Sequence, residues 1–435
     1  MLLQSSLIIL AAGFFLLLVM LDRRLALAAF VALLPVYLIR FTIPVAGLVL
    51  PSTLLEVMFW LLFLGWLVRR NRITNRPSQN WRPWTGGLIL LGLGSLVGIL
   101  FSAQPMAALG LWRAYFFEPI LFFIMFVDLC RETYARRLVL AALGTTVAVV
   151  GIIAIIQKIT GWWIPNPVWV PAEVRRVTAF YGYPNGIGLF AAPITILMTG
   201  WTVAAARAIH RRLDLLLPIA TGLAALLGFL AILFAVSEGA LIGTTIGLVV
   251  LGLLMRPLRP FALSAVIVGC LLVMTCTPLR NYASVMLSMR DDSWAVRKIV
   301  WTESLDMLSD RSVWGAGLAG YQSALVPYHQ AKHIEIFMYP HNLFLNFWSE
   351  VGLIGLVGFL LLVAVFFRVT SDLAQAYPNE WLPLALMAAM VALLVHGLVD
   401  VPYFKNDLAL LFFILLGLAE SMRRQKLPID QRESS

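Results

Sequence analysis

Residues Tyr339–Phe367 read YPHNLFLNFWSEVGLIGLVGFLLLVAVFF. From 342 to 367 the run is long enough to cross a hydrocarbon core of ~30 Å at ~1.5 Å per residue. Its start nevertheless carries His341, Asn342, Asn346, Ser349 and Glu350. A buried carboxylate in such a run needs a partner or a watery cavity, so the stretch reads as a membrane helix whose mouth is functional. The alternative is that the polar groups merely hold helices together.

The rest of the chain repeats the apolar half of that pattern. Of 435 residues, 61% are hydrophobic and 12% charged, against about 25% charged in a soluble domain, and the mean hydropathy is +0.90. Apolar runs near 2–21, 25–40, 52–68, 84–101, 112–130, 136–156, 186–206, 214–235, 239–255, 260–275, 342–367, 380–397 and 405–421 predict an all-α polytopic integral membrane protein of about 12–13 transmembrane helices. Residues 1–435 form a single transmembrane domain in this reading. The start, MLLQSS, lacks the basic region of a signal peptide and is expected to remain as a helix. Cys130, Cys270 and Cys276 fall in or beside spans and suggest no disulfide framework or metal spacing.

Cytoplasmic loops retain Lys and Arg. Segments 69–82, 131–137, 207–212, 256–259 and the tail from Arg423 are the basic ones, which places 157–185, 277–340 and 398–404 outside. The formal charge of +10 resides largely in those inner loops, and no basic strip interleaved with aromatics points to nucleic acid. The outer loop 277–340 alone is large enough for helices beyond the membrane. Within it, 292–308 has an amphipathic pattern with Trp294 and Trp301 on one face, predicting a helix lying on the membrane. Gly315, Gly317 and Gly320 predict a flexible turn after it.

With Pro340 at the first helical position, His341 and Asn342 fall in the first turn of a helix entering from outside. The positive end of the helix dipole then favours a neutral, base-competent imidazole. A second mouth, YGYPNGIG at 181–188, contains Asn185 and follows Arg175 and Arg176. Arg290 and Arg297 add outer guanidinium groups, whose planar forks suit phosphate oxygens. His396 and Asp400, four apart in HGLVDVPYFKND, read as a structural cap. Asp291 and Asp292 are too weak a pair to define a metal site.

The order of Pro184–Asn185, S-x-G-A at Ser237–Ala240, R-x-x-x-W at Arg297 and Trp301, G-x-G at Gly315 and Gly317, and H-N followed by E-x-G-x-x-G from His341 to Gly355 resembles the O-antigen ligase and O-antigen polymerase superfamily. The likeness spans about residues 160–420. It implies an inverting, metal-independent glycosyltransferase without a cofactor, in the bacterial cytoplasmic membrane with its site on the periplasmic side. The implied donor is an undecaprenyl-diphosphate-linked glycan, and the acceptor a second glycan or lipid A-core. His341 would act as or orient the base and Arg297 would hold the diphosphate, with Arg290, Arg176, Asn185, Asn342, Glu350, Trp301 and Glu238 around the substrates. One departure is Glu238, where the family commonly has Arg in S-R-G-A. A lipid-linked glycan flippase would instead place charged or unwound elements near the midplane, in repeated halves, and no such repeat is evident. A scaffold of an envelope-glycan complex would tolerate a neutral residue at His341.

Overall fold

A computed structural model describes residues 2–45, 48–70, 81–278, 280, 281, 284 and 292–426. Arg290, Asp291, most of the basic segment 69–82 and the end of the tail lie outside the described residues. In chain order the helices are α1 (Leu2–Leu21), α2 (Arg23–Ala32), α3 (Leu54–Arg70), α4 (Arg82–Leu100), α5 (Pro105–Trp112), α6 (Glu118–Leu129), α7 (Thr133–Thr160) and α8 (Asn185–Arg207). There follow α9 (Leu216–Ala235), α10 (Glu238–Leu254), α11 (Arg259–Thr275), α12 (Asp292–Asp310), α13 (Tyr321–Leu325), α14 (Leu343–Ala376), α15 (Leu382–His396) and α16 (Asn406–Lys426). Among the described residues six helical segments are long and apolar enough to cross a membrane, and four more are apolar but shorter. The protein is an all-α, multi-pass membrane protein.

Of the expected run 25–40, which could equally be a partial or re-entrant element, only the first part is α-helical. The α-helix stops at Ala32, a 3-10 turn covers Leu34–Leu38, and a hairpin pairs β1 (Arg40–Val45) with β2 (Leu48–Thr53). Pro35 lacks the N–H that would continue the helix and disfavours helical backbone at Leu34. A π-helical turn, Arg113–Phe117, joins α5 to α6. There the Arg113 guanidinium lies 2.8 Å from Glu56 and 3.6 Å from Glu118, both buried. These contacts tie α3 to the α5–α6 run, because a buried carboxylate left without such a partner is costly.

The centre of the bundle is α16, buried from Asp407 to Met422. Around the site the helices meet through glycines: a Cβ on Gly94 of α4 would lie 2.3 Å from the Gly355 nitrogen of α14, and one on Gly188 of α8 would lie 2.2 Å from Ala240 of α10. Without hydrophobic drive between helices in lipid, this close approach of backbones supplies much of the attraction.

Helix α14 is not continuous. Gly352 takes φ +66° and ψ −177° inside it. The freed backbone is satisfied by the loop after α12: Leu353 N–H donates to the Val313 carbonyl at 2.9 Å, and the Ser349 carbonyl accepts from Ala316 N–H at 2.7 Å. Leu318 N–H continues to Gly98 of α4 at 2.8 Å. The glycine turn at 315–320 is therefore pinned rather than flexible, since non-helical backbone among apolar helices persists only where protein satisfies it. The break is an unwound element of the kind associated with transporters, but here a loop fills it.

The large outer loop also departs from the reading of a helix lying on the membrane. The buried residues Met307 and Leu308 of α12 form a small core with Ala316, Tyr321 and Leu325, so this face of the helix is turned to its own loop. Glu303 closes the far side by accepting from Gln330 and Ala331 N–H at 2.9 and 3.1 Å and contacting His329 Nδ1 at 3.0 Å.

Candidate functional site

Five helix ends converge: the starts of α8, α10 and α14 and the ends of α9 and α15. The ends of α8, α9, α10 and α15, together with α12, enclose a cavity of about 360 Å³ whose polar walls are Arg176, Asn185, Ser237, Glu238, Arg297, His396 and Asp400, and the start of α14 stands beside it. Sequence reading named Arg176, Asn185, Glu238 and Arg297, and the fold brings these four together across more than 100 residues of chain.

Each wall has a local cause. Helix α9 ends where Val236 turns left-handed at φ +50°, exposing its last carbonyls. Arg176 caps them, donating from Nε to Ala235 O and from Nη2 to Val236 O, both at 3.0 Å. Its Nη2 also reaches Asn185 Oδ1 at 3.3 Å. None of these bonds uses Nη1. Burial pulls the Arg176 guanidinium below its ordinary range, while the neighbouring Glu238 carboxylate works the other way. The S-x-G-A segment stands at the start of α10 as expected, with Ser237 at the N-cap position.

Asp400 is the centre of the opposite wall. Its Oδ2 accepts from Asn185 Nδ2 at 3.0 Å and its Oδ1 from Val401 N–H at 2.8 Å. His341 Nδ1 lies 3.8 Å from the same Oδ1. Burial alone would raise the Asp400 carboxyl, but the neighbouring His341 and His396 and the Val401 amide overcome it and hold the pKa below the ordinary value.

His341 itself is not in the first helical turn. It takes φ +49°, and the N-cap is Asn342, whose Oδ1 accepts from Phe344 and Leu345 N–H, both at 3.0 Å. Asn is a strong N-cap because its side chain replaces the missing backbone acceptor. The argument from the helix dipole therefore does not apply to His341. The turn is fixed from two sides: Asn342 Nδ2 donates to Leu398 O at 3.0 Å and Leu343 N–H to Gly397 O at 2.7 Å. Trp301 Nε1 donates to Pro340 O at 2.9 Å. The structure thus gives Trp301 and Asn342 contacts that hold the histidine turn. His341 is 27% exposed and stands beside Asp400 rather than in the cavity wall.

Glu350 is placed elsewhere. It is buried in α14 with Asn346 and Ser349, and its Oε2 accepts from Ala319 N–H at 2.8 Å, anchoring the pinned loop. The residues that sequence reading passed over are His396 and Asp400, assigned to a cap, and Lys405 and Tyr183. Lys405 stands over the Tyr183 ring at 3.9 Å and donates to its hydroxyl. Burial draws the Lys405 ammonium down from 10.5 to about 8, against the raising influence of Asp407 and Asp400. The HxxxD spacing of His396 and Asp400 at the end of α15 was the available signal, and it does not distinguish a cap from a cavity wall.

With cations on one wall and a carboxylate–imidazole pair on the other, the site can hold an anionic group and accept a proton from a hydroxyl. Against known families, residues 223–360 match O-antigen ligase. Among curated proteins no relative matches the chain.

Proposed function

We propose that this chain, whose residues 223–360 match O-antigen ligase, transfers or polymerises glycan from an undecaprenyl-diphosphate-linked donor onto an acceptor hydroxyl. The acceptor is lipid A-core or another lipid-linked glycan, and the reaction lies on the periplasmic side of the bacterial cytoplasmic membrane. The observation that carries this reading is the shared site: Arg176 and Arg297 line the same cavity as Asp400, and Asp400 contacts His341.

In this mechanism the donor diphosphate lies against Arg297 and the free Nη1 edge of Arg176. Arg176 supplies the cation that Glu238 cannot, and the carboxylate beside it keeps that guanidinium charged. His341 turns Nδ1 to Asp400, leaving Nε2 for the acceptor hydroxyl. As the acceptor oxygen bonds to the anomeric carbon from the far face, the bond from that carbon to the diphosphate oxygen breaks. The electron pair leaves with undecaprenyl diphosphate and the proton passes to His341. The arginines meet the charge that develops on the leaving oxygen, where preorganised donors matter most.

The test is glycan transfer by the full chain in nanodiscs with an undecaprenyl-diphosphate oligosaccharide, with and without EDTA, for wild type, His341→Ala and Arg297→Ala. Release of undecaprenyl diphosphate by wild type, unchanged by EDTA and lost by at least ~10²-fold in both variants, supports the reading. Product size then separates polymerase from ligase. Transfer that persists in His341→Ala removes the base assignment. Labelled lipid crossing the bilayer without transfer makes the protein a transporter.

A further inference from the structure

The cavity accounts for a donor but not for the second substrate, whose hydroxyl must reach His341 from outside the arginine wall. The two oxygens of Asp400 point to different neighbours: Oδ2 to Asn185 in the cavity wall, Oδ1 toward His341. On the His341 side stand three partly exposed aromatic rings, none of which lines the cavity. Phe337 meets the imidazole edge-on at 5.1 Å and Tyr339 lies 4.7 Å from it, tilted by 58°. Tyr183 is near enough to Tyr339 and Asp400 for both to raise its phenol, after burial as the first cause.

Tyr183 is oriented by Lys405. The ammonium donates to the phenol oxygen and covers the ring, and an ammonium can only donate. The oxygen is thus occupied as an acceptor, and the phenol proton is directed to another group. Lys405 is itself faced by Asp407 and Asp400 and by the Arg40 guanidinium.

Resting on the glycosyl-transfer reading, we propose that Phe337, Tyr339 and Tyr183 form the acceptor subsite: an uncharged pyranose ring lies on the aromatic shelf, Tyr183 donates its hydroxyl proton to a sugar oxygen, and the attacking hydroxyl is delivered to His341. Aromatic faces with a few placed polar groups are the usual construction of a site that must fix orientation. Phe337 and Tyr183 act as binding residues here, separate from the arginines that face the donor.

The experiment compares wild type, Phe337→Leu and Tyr183→Phe in nanodiscs, varying a free neutral oligosaccharide acceptor and the undecaprenyl-diphosphate donor separately. The expected result is an acceptor KM raised about fivefold or more, with donor KM and kcat at saturating acceptor within about twofold of wild type. An unchanged acceptor KM overturns the subsite. A fall in kcat with both KM values unchanged also overturns it, because the rings then only orient His341. Saturation-transfer NMR with the same free oligosaccharide reads binding without turnover. If wild type shows no transfer, the proposed function fails; the subsite stands if the oligosaccharide signal is present and lost in Phe337→Leu, and falls if the signal is absent or unchanged.

Discussion

At the scale of single residues, one left-handed histidine decides the geometry of the site. A non-glycine residue at positive φ costs of order 1 kcal/mol and persists only where its surroundings fix it. Asn342, Trp301 and the Gly397–Leu398 carbonyls do so at His341. Asp400→Asn removes the anion that faces His341 and accepts from Asn185, and is expected to lower kcat/KM by about 10²-fold, read as transfer at fixed donor. The same residue makes a stability prediction. Its folded pKa lies below the ordinary 3.8, so the charged form stabilises the fold above that pH, and the contribution is lost as pH falls through the lower folded value. Thermal unfolding of wild type should therefore weaken on acidification below pH 3.8 more than that of Asp400→Asn. Lys405 runs in the opposite sense. Its folded pKa is lowered to about 8 from 10.5, so the unfolded chain binds more protons between those values and stability rises with pH across that window. Lys405→Met should flatten the rise in a melting series from pH 8 to 10.5.

At the scale of elements, the broken helix α14 and the loop that fills it behave as one unit. The sequence signals were ambiguous here, because glycines at 352, 355 and 358 suit close packing in lipid as well as a break. Only Gly352 has positive φ, and a Cβ there would meet the Val313 carbonyl oxygen at 2.5 Å. Gly352→Ala is expected to destabilise the protein by about 1–3 kcal/mol, with loss of transfer as the loop leading back to α12 shifts. Gly269→Ala on α11, where a Cβ would meet nothing within 4 Å, is the matched control. It should be neutral or stabilising by a few tenths of a kcal/mol, up to about 1. Chemical or thermal unfolding in one detergent reads both. The amphipathic pattern of 292–308 was legible as a helix, but its partner was not: periodicity defines an apolar face, and only the chain returning from Ala316 to Leu325 covers it.

At the scale of the whole molecule, the site depends on topology. The mouths at Asn185 and His341, the end of α9 and the loop after α15 meet at one end of the bundle, as alternating basic loops require if that end faces the periplasm. In a cysteine-free background, Met338→Cys, which replaces a residue 74% exposed near the site, should be labelled by an impermeant maleimide added from the periplasmic side. Tyr134→Cys, replacing a residue 55% exposed in the first turn of α7 within the basic segment 131–137, should be labelled only after permeabilisation. The reverse pattern inverts the assigned sidedness.

Composition and hydrophobic run length by themselves determined that this chain is a helical, multi-pass membrane protein, because backbone groups in lipid leave a long apolar run little choice but the helix. Motif order was enough to bring Asn185, Glu238, Arg297 and His341 into one proposal, and the position of Arg176 upstream of the second mouth added it. Only the tertiary structure decided that Asp400 joins them, that Glu350 anchors a loop, and that His341 lies outside its helix. A carboxylate four residues after a histidine reads the same whether it caps a helix or lines a cavity; what separates the two is the residue opposite it, here Asn185, 215 positions away in the chain.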